Sequence, residues 1–334
     1  MPPSQAQRRL LELAQSFRIS AVLITFAELD LARHLAAGPR STDELAQAVG
    51  ADTHALARFL RAAAALDLVS ETPQGWQLSP LAAETLLPDS SRSLAHFLAA
   101  QAAFYRRWGL LTDAVRSGRA PEASRREERA TDWVRHFTLM LYEIARTVSD
   151  DVAAALVPLI EGIQRPRVLD LGGGHGEYAM ALARAHPNLE AVIFDLPPVT
   201  EITRELIVRS GLIDRVSPLP GDFFHDPLGE GYNLVLLFGV LNSMNEEEAR
   251  RLLGLVYQAL APGGWLAIRA TPPQPTPEAR LQHALLDLQM LLAAEHGHHP
   301  TAAELERWLS EVGFTDLQWC TVLDGNVTLL LARR

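Results

Sequence analysis

The sequence predicts an α/β protein in which a mostly parallel sheet follows a mostly helical N-terminal region. After residue 160, short apolar runs alternate with helical segments, as strands and crossover helices do in a parallel sheet. The five runs are RVLDL, EAVIFDL, RVSPLPGD, YNLVLLFG and GGWLAIRA. The first 160 residues instead show helical spacing of apolar residues and one hairpin pattern. With 334 residues, the chain is long enough for two domains with separate cores.

The composition is that of a soluble globular protein, at 48% hydrophobic and 21% charged residues. The net charge of −10 offers no overall basic field for nucleic acid or an anionic membrane. The single cysteine, Cys320, excludes an intrachain disulfide and suits a reducing compartment. No signal peptide is recognisable, and the apolar segment ISAVLITFAELDLA contains Glu28 and Asp30 and is too short to span a bilayer. We therefore expect a cytoplasmic protein without a membrane partner.

Residues 1–100 are predicted to form a winged-helix-like domain. Two helices with wide apolar faces are expected over about residues 5–37. Ser41 and Glu44 form a capping box that begins another helix, and a further helix follows it. A hairpin is then expected around residues 73–75. This order of elements is typical of a winged helix-turn-helix.

A DNA-binding role is the alternative for this domain, and its charge opposes that role. Residues 1–90 hold seven arginines and ten acidic residues, a net charge of −3. Duplex binding needs cations that neutralise phosphates. Arg58 and Arg61, on the helix that would enter the groove, lie among alanines and leucines. We expect packing or dimerisation, and no nucleic-acid partner.

Residues 101–160 are predicted to be a helical connector that lines a pocket, and residues 161–334 to be the sheet domain. The polar break SGRAPEASRREERAT inside the connector is expected to be a solvated loop, since its arginines are matched by glutamates. At the C-terminal end, two apolar runs flank Asp324 and Gly325, a pair that favours a hairpin turn.

The glycine-rich turn of RVLDLGGGHG raises the question of a ligand. Polar side chains follow four of the predicted strands: Asp170, Asp195, Asp222 and Asn242. Since ligands bind at the carboxyl ends of strands in such sheets, these side chains are expected to face one ligand. Glycines at this position let the backbone approach that ligand at a helix N-terminus.

A dinucleotide is one candidate, because Gly174, Gly176 and Ala179 satisfy G-x-G-x-x-A, although a lone match is weak. Asp170 opposes it, since a carboxylate at the strand end repels a pyrophosphate and attracts an ammonium. Asp195 can accept two ribose hydroxyls, and GDFF adds an acid and rings suited to an adenine. The set favours S-adenosylmethionine, although each acid alone could be a helix cap or a solvated turn residue.

On these motifs the chain resembles the small-molecule O-methyltransferases with an N-terminal winged-helix dimerisation domain, found in plant phenolic and bacterial natural-product pathways. The resemblance covers nearly the whole chain, through VLDLGGGHG, AVIFDLP, GDFF, ALAPGGWL, LDLQML and ELERWLSEVGF. It implies a Rossmann-like methyltransferase domain whose seven-stranded sheet has an antiparallel last strand. It also implies an intertwined homodimer, a small-molecule substrate and S-adenosylmethionine as cofactor.

The resemblance assigns residues to the cofactor and to the substrate. The glycines of the turn would lie along the cofactor. Asp195 would bind the ribose, and Asp222 and Phe223 would frame the adenine. The predicted cofactor residues are Asp170, Gly172, Gly174, Asp195, Leu196, Asp222 and Phe223. The predicted pocket residues are Trp133, Phe137, Met140 and Met290, although core packing explains Phe137 and Met140 equally well.

The chain departs from this family at its acid-base residues. The family histidine that removes the proton from the substrate hydroxyl is replaced by Asn242 in LNSMNEE. Two family glutamates are replaced by Ala270 and His299. Asparagine cannot act as a base, but it can orient a hydroxyl or a carbonyl. Asn242 and His299 are therefore the candidate catalytic residues.

Two interpretations of these replacements stay open. In one, His299 takes the proton while Asn242 holds the acceptor oxygen. In the other, both positions changed because the substrate ionises unaided, and positioning supplies the rate. The neighbouring Glu295, His296 and His298 lack a second ligand-rich segment at zinc spacing, so no metal site is predicted.

The sequence predicts an S-adenosylmethionine-dependent methyltransferase for a small apolar or aromatic molecule, with O-methylation as the family product. A C-methyltransferase acting on an acidic carbon is the alternative within the fold. Two alternatives belong to other functional classes. One is a protein of this fold that binds the cofactor without transferring a methyl group, and the other is a winged-helix regulator. Cofactor binding without methyl transfer would favour the first, and salt-dependent DNA binding would favour the second.

Overall fold

The computed structural model describes residues 3–122, 131–293, 299–323 and 327–334, and the chain divides into two compact units at residues 105 and 106. The first unit is helical with a small hairpin. Its elements are α1 (Gln5–Gln15), α2 (Phe17–Glu28), α3 (Leu31–Leu35), α4 (Thr42–Val49), α5 (Thr53–Ala65), β1 (Val69–Thr72), β2 (Gly75–Leu78) and α6 (Pro80–Leu86).

Local sequence signals determine this unit. Ser41 caps α4 as predicted: its hydroxyl accepts the N–H of Glu44, and the Glu44 carboxylate accepts the N–H of Ser41. The hairpin of β1 and β2 turns where predicted, and Trp76 exchanges two backbone hydrogen bonds with Arg40. Trp76 also packs in the core of the unit with buried residues such as Phe26.

The first two helices leave an apolar face uncovered. Five of its side chains are more than half exposed: Leu10, Leu11, Leu13, Phe17 and Ile19. Because α1 and α2 are separated by one residue, Gln5–Glu28 forms a 24-residue stretch that is long and apolar enough to cross a membrane, and an 18-residue window within it has a mean hydropathy of 1.4. Contiguous exposed apolar surface of this kind marks an interaction face.

The second unit is an α/β domain, and α7 crosses the boundary into it. Its helices are α7 (Ala95–Trp108), α8 (Leu111–Ser117), α9 (Thr131–Arg146), α10 (Ser149–Leu156), α11 (Glu177–Ala185), α12 (Pro197–Ser210), α13 (Glu246–Ala259), α14 (Pro277–Ala293) and α15 (Ala302–Val312). Its strands are β3 (Arg167–Leu171), β4 (Glu190–Asp195), β5 (Val216–Pro220), β6 (Tyr232–Leu237), β7 (Leu260–Arg269), β8 (Thr315–Val322) and β9 (Val327–Arg333).

The sheet has the strand order β5-β4-β3-β6-β7-β9-β8. The β9 strand runs antiparallel to both of its neighbours, and the other pairs are parallel, which confirms the predicted fold. Strand order reverses between β3 and β6, so the ligand crevice is expected beside their carboxyl ends. The turn at Asp324 and Gly325 lies outside the described residues.

Both faces of the sheet are covered, so the buried parts of the central strands are almost entirely apolar. In β3, Val168, Leu169 and Leu171 are fully buried. One face packs against α10, α11 and α12, and the other against α13 and α15. Asp170 is the exception, a polar residue buried among the apolar residues of β3.

Candidate active site

The glycine turn connects β3 to α11 and places backbone where a ligand can reach it. Gly172 has a φ of 64°, and a Cβ there would lie 2.4 Å from a Val240 methyl group. Gly174 has a φ of 52°, and its Cβ position is open, with the Asp195 carboxylate 3.9 Å away as the nearest group. The turn is therefore packed tightly at Gly172 and open to the crevice at Gly174.

Asp170 lies beneath this turn rather than in the open crevice. Its side chain is 1% exposed, and its Oδ2 atom has no hydrogen-bond partner in the described part of the chain. Burial and the charge of Asp195 raise the pKa of Asp170 to about 7, against the lowering effect of the Ala179 N–H. A Cβ on Gly173 would lie 2.5 Å from the Asp170 carboxyl carbon. The carboxyl group is therefore buried against the turn, and its predicted role toward the cofactor stays a prediction.

Asp195 ends β4 and faces the same turn. Its Oδ2 accepts the N–H of Gly174 at 2.8 Å, and its Oδ1 accepts the N–H of Leu196 at 2.7 Å. Burial raises its pKa, while these two N–H groups lower it. The Leu196 side chain is 52% exposed and offers an apolar surface next to the carboxylate. The structure therefore brings together the residues predicted for the turn and for the ribose.

The predicted adenine residues lie in the loop after β5. The Gly221 N–H donates to the Asp195 carbonyl oxygen, which holds this loop beside β4. The Asp222 carboxylate accepts the N–H of Phe224 at 2.9 Å and lies 3.0 Å from the His225 ring, and both interactions lower its pKa. The rings of Phe223 and Phe224 meet edge to face at 4.8 Å. Asp222 thus organises its own loop at the edge of the crevice.

Asn242 and His299 are in direct contact. Asn242 lies in the short turn Leu241–Ser243 after β6, and the His299 side chain is 7% exposed. The Nδ1 atom of His299 lies 2.9 Å from the Asn242 Oδ1 atom. Because an amide oxygen only accepts, Nδ1 of the neutral imidazole carries the hydrogen, and Nε2 is the ring atom that can take a proton.

Helix α14 fixes the position of His299. The backbone N–H of His299 donates to the Asp287 carboxylate at 3.0 Å. The ring of His283 lies 4.5 Å from that of His299, and its Nδ1 is 2.7 Å from the Thr271 hydroxyl oxygen. A small cavity is lined by Asn242, Ala270 and His299, so the three positions where the chain departs from the family pattern share one space.

Of the four predicted pocket residues, the structure brings Trp133 and Phe137 into direct contact. The rings of Trp133 and Phe137 stack at 5.5 Å on α9, and the Arg107 guanidinium lies 4.5 Å from the centre of the Trp133 ring. Met140 is buried, whereas Met290 on α14 is partly exposed. Their assignment to a substrate pocket stays a prediction, as do the roles of the other site residues.

Sequence reasoning missed a cluster behind the glycine turn. His175 is buried between the rings of Tyr142 and Tyr178, and its Nδ1 accepts the N–H of Glu177. Burial and the charge of Arg269 lower the pKa of His175 to about 3, so the ring stays neutral. The sequence features that could have indicated this cluster are His175 inside GGGHG and Arg269 at the end of β7.

Two family models match the chain. An O-methyltransferase domain matches residues 108–315, and an O-methyltransferase dimerisation domain matches residues 11–89. The first alone covers more than half of the chain.

Individual proteins match over nearly their full length. The tetracenomycin polyketide synthesis 8-O-methyl transferase TcmO of Streptomyces glaucescens is 29% identical, covering 97% of this chain and 96% of that protein. The 8-amino-8-demethylriboflavin N,N-dimethyltransferase of Streptomyces davaonensis is 31% identical, covering 94% and 91%. Human N-acetylserotonin methyltransferase, solved in complex with SAM, is 27% identical with a TM-score of 0.86, covering 100% of this chain and 99% of that one. The likeness therefore concerns the whole chain.

Proposed function

The chain belongs to the O-methyltransferase family, and from that premise we propose that it methylates a hydroxyl oxygen of a small aromatic acceptor with His299 as the base. The enzyme depends on S-adenosylmethionine, as the family and its solved structures do. The observation that carries the proposal is the hydrogen bond between His299 and Asn242. Through this contact His299 can serve as the proton acceptor, although the histidine that the family uses is replaced by Asn242.

The residues around the glycine turn fit this cofactor. Asp195 would hold the ribose hydroxyls, and the open face of Gly174 would lie along the cofactor. Leu196 offers an apolar surface, and Asp222 and Phe223 would frame the adenine. The buried charge of Asp170 favours a cofactor that is itself cationic.

The chain's own residues then supply the proton chemistry. The bound cofactor supplies a methyl group on a positively charged sulfur. Nε2 of His299 would take the proton of the acceptor hydroxyl when the methyl group passes from that sulfur to the hydroxyl oxygen. Asn242 keeps the hydrogen of His299 on Nδ1 and stabilises the imidazolium that results. The products are an ether, S-adenosylhomocysteine and one proton, which leaves through His299.

Product analysis tests the reaction type. We expect that a panel of phenols and naphthols, incubated with methyl-deuterated S-adenosylmethionine, gives ethers that boron tribromide cleaves with loss of the label. A product that retains its label is methylated on carbon or nitrogen and contradicts the proposal. Cofactor binding without transfer to any acceptor supports the alternative of a binding protein.

Asp195→Ala is expected to weaken S-adenosylmethionine binding by about 1–3 kcal/mol, through the loss of charge-assisted hydrogen bonds to the ribose. Calorimetry measures the dissociation constant of each variant. The matched control is Asp214→Ala, which removes an exposed carboxylate from the loop before β5, at the amino ends of the strands. NAD binding, or equal affinity of the Asp195 variant and the wild type, contradicts the assignment.

We further propose that the enzyme is a cytoplasmic homodimer that buries the exposed face of α1 and α2 against a second copy. The wild type is expected to show a mass of about 73 kDa by light scattering, twice the 36.7 kDa of one chain. The double variant Leu10→Glu/Leu13→Glu is expected to be a monomer, because it places charges in an apolar interface. Gln5→Glu is the control on the same helix. A monomeric wild type that co-floats with anionic vesicles would assign this face to a membrane instead.

A further inference from the structure

Arg269 is a cation at the ligand edge of the sheet. It is the last residue of β7, and its side chain is exposed. Its guanidinium donates one hydrogen bond, to the Tyr178 hydroxyl oxygen at 3.1 Å. None of the ion pairs among the described residues involves Arg269. The side chain therefore has donors and a charge that the described residues do not use.

Tyr178 and His175, the two groups on which Arg269 acts most directly, are neutral. Tyr178 is 7% exposed, and burial raises the pKa of its hydroxyl, so that the hydroxyl stays protonated at neutral pH. His175 is neutral as well, because burial and Arg269 hold its pKa at about 3. A surface arginine that serves only solubility would turn toward water. This one is held against a buried tyrosine, behind which Phe238 packs edge to face at 4.9 Å.

Arg269 lies at the same edge of the sheet as the proposed base His299. Arg269 and the adjacent Ala270 line the same small cavity as His299 and Asn242. The Arg269 side chain itself extends toward α11, which carries Tyr178. Both lie at the carboxyl ends of the strands, the guanidinium on the side of the sheet that α11 covers and the cavity on the side that α13 and α15 cover.

We propose that Arg269 and Tyr178 form a subsite for a carboxylate of the acceptor, so that the substrates are hydroxylated aromatic acids. The inference rests on the proposed function. The planar guanidinium matches a carboxylate with two parallel N–H···O bonds, and the Tyr178 hydroxyl, which accepts from Arg269, still has its own hydrogen to donate. The carboxylate would neutralise the charge that the described residues leave unpaired.

Paired acceptors test the subsite. Hydroxybenzoates and hydroxynaphthoates are each compared with the corresponding primary amide, which has similar size and no charge. Two quantities are measured: kcat/KM for S-adenosylhomocysteine formation, and binding to the complex of enzyme with S-adenosylhomocysteine. The wild type is expected to prefer the acid by about 10-fold or more in the best pair, because charge-assisted hydrogen bonds to a carboxylate are stronger than neutral ones to an amide.

Variants of Arg269 and Tyr178 test whether these two side chains cause the preference for the acid. Arg269→Gln is expected to reduce the acid-to-amide ratio to about 2-fold or less, Arg269→Lys to keep part of it, and Tyr178→Phe to reduce it several-fold. The control is Arg165→Gln, which removes an exposed arginine at the amino ends of the strands and is expected to keep the full ratio.

Each outcome has one meaning. If no acid is bound or methylated better than its amide, the subsite is wrong. If Arg269→Gln keeps the preference but weakens S-adenosylhomocysteine binding about 10-fold, Arg269 holds the carboxylate of the cofactor instead, and the inference is also wrong. If acids bind better than amides and Arg269→Gln abolishes this, but no acceptor is methylated, the subsite stands and the proposed O-methylation fails.

Discussion

Replacing His299 by alanine is expected to slow methyl transfer at saturating S-adenosylmethionine by about 100-fold or more. It should also remove the acidic limb of the pH–rate profile. A base works only when it is deprotonated, so the wild-type rate is expected to rise with pH as His299 loses its proton. Because Asn242 accepts the Nδ1 hydrogen, Nε2 is the atom of this ring that would take the proton of the acceptor. Single-turnover rates from pH 5 to 9 measure both effects.

Two further variants separate the base from its support. Asn242→Ala is expected to lower the rate but to keep the limb, since an amide orients the ring and does not titrate. His283→Gln, which removes the imidazole packed 4.5 Å from His299, is the control for general damage to this region and is expected to keep the limb. Near-normal turnover of the His299 variant with an unchanged pH profile would show that the acceptor ionises unaided and that positioning alone drives the reaction.

Much of the fold follows from short-range signals that act within a few residues. Ser41 and Glu44 cap α4 through hydrogen bonds three residues apart, and the turn before Gly75 needs only local backbone geometry. The crevice was predictable for a different reason. Parallel strands end at one edge of a sheet, so polar residues that follow successive strands, such as Asp170 and Asp195, must come close together.

Other features depend on packing between distant segments, which residue patterns do not encode. His299 and Asn242 are 57 residues apart, and the family resemblance alone placed both near the active site. Nothing in the sequence indicates that His299 contacts Asn242 through Nδ1, because that contact depends on how α14 holds the histidine backbone. Arg269 escaped notice for the same reason, since only its contact with Tyr178 distinguishes it from a solvated arginine.

Asp170→Asn is expected to stabilise the cofactor-free protein at pH 8 by about 1–3 kcal/mol and to leave its stability at pH 5 nearly unchanged. The pKa of Asp170 is raised to about 7 in the folded protein, from an ordinary value of 3.8. The folded state then holds this proton more tightly than the unfolded state does. The contribution of Asp170 to stability is therefore lost as the pH rises from about 4 to 7.

The expected size of the gain follows from that shift. The rise of the Asp170 pKa from 3.8 to about 7 corresponds to roughly 4 kcal/mol at most, because a tenfold change in an equilibrium constant is worth about 1.4 kcal/mol. Part of the gain is offset because the new amide NH₂ group replaces Oδ2, which has no hydrogen-bond partner among the described residues. Thermal unfolding at pH 5 and pH 8 measures the difference, with Asp214→Asn as the exposed control. A lower melting temperature of Asp170→Asn at both pH values would show that the carboxylate is needed for folding.

The same substitution is expected to weaken S-adenosylmethionine binding at pH 8 by about 10-fold, and S-adenosylhomocysteine binding much less. The two cofactors differ by the positive charge on sulfur, and a charge pair separated by several ångströms at an effective dielectric constant near 20 is worth about 1–3 kcal/mol. In the wild type, the preference for S-adenosylmethionine over S-adenosylhomocysteine should grow as the pH rises through 7, because Asp170 then loses its proton. In the variant this preference should not change with pH. A buried acid that destabilises the empty enzyme would thus favour the cationic cofactor and release the neutral product, and an equal effect of Asp170→Asn on both ligands would rule this out.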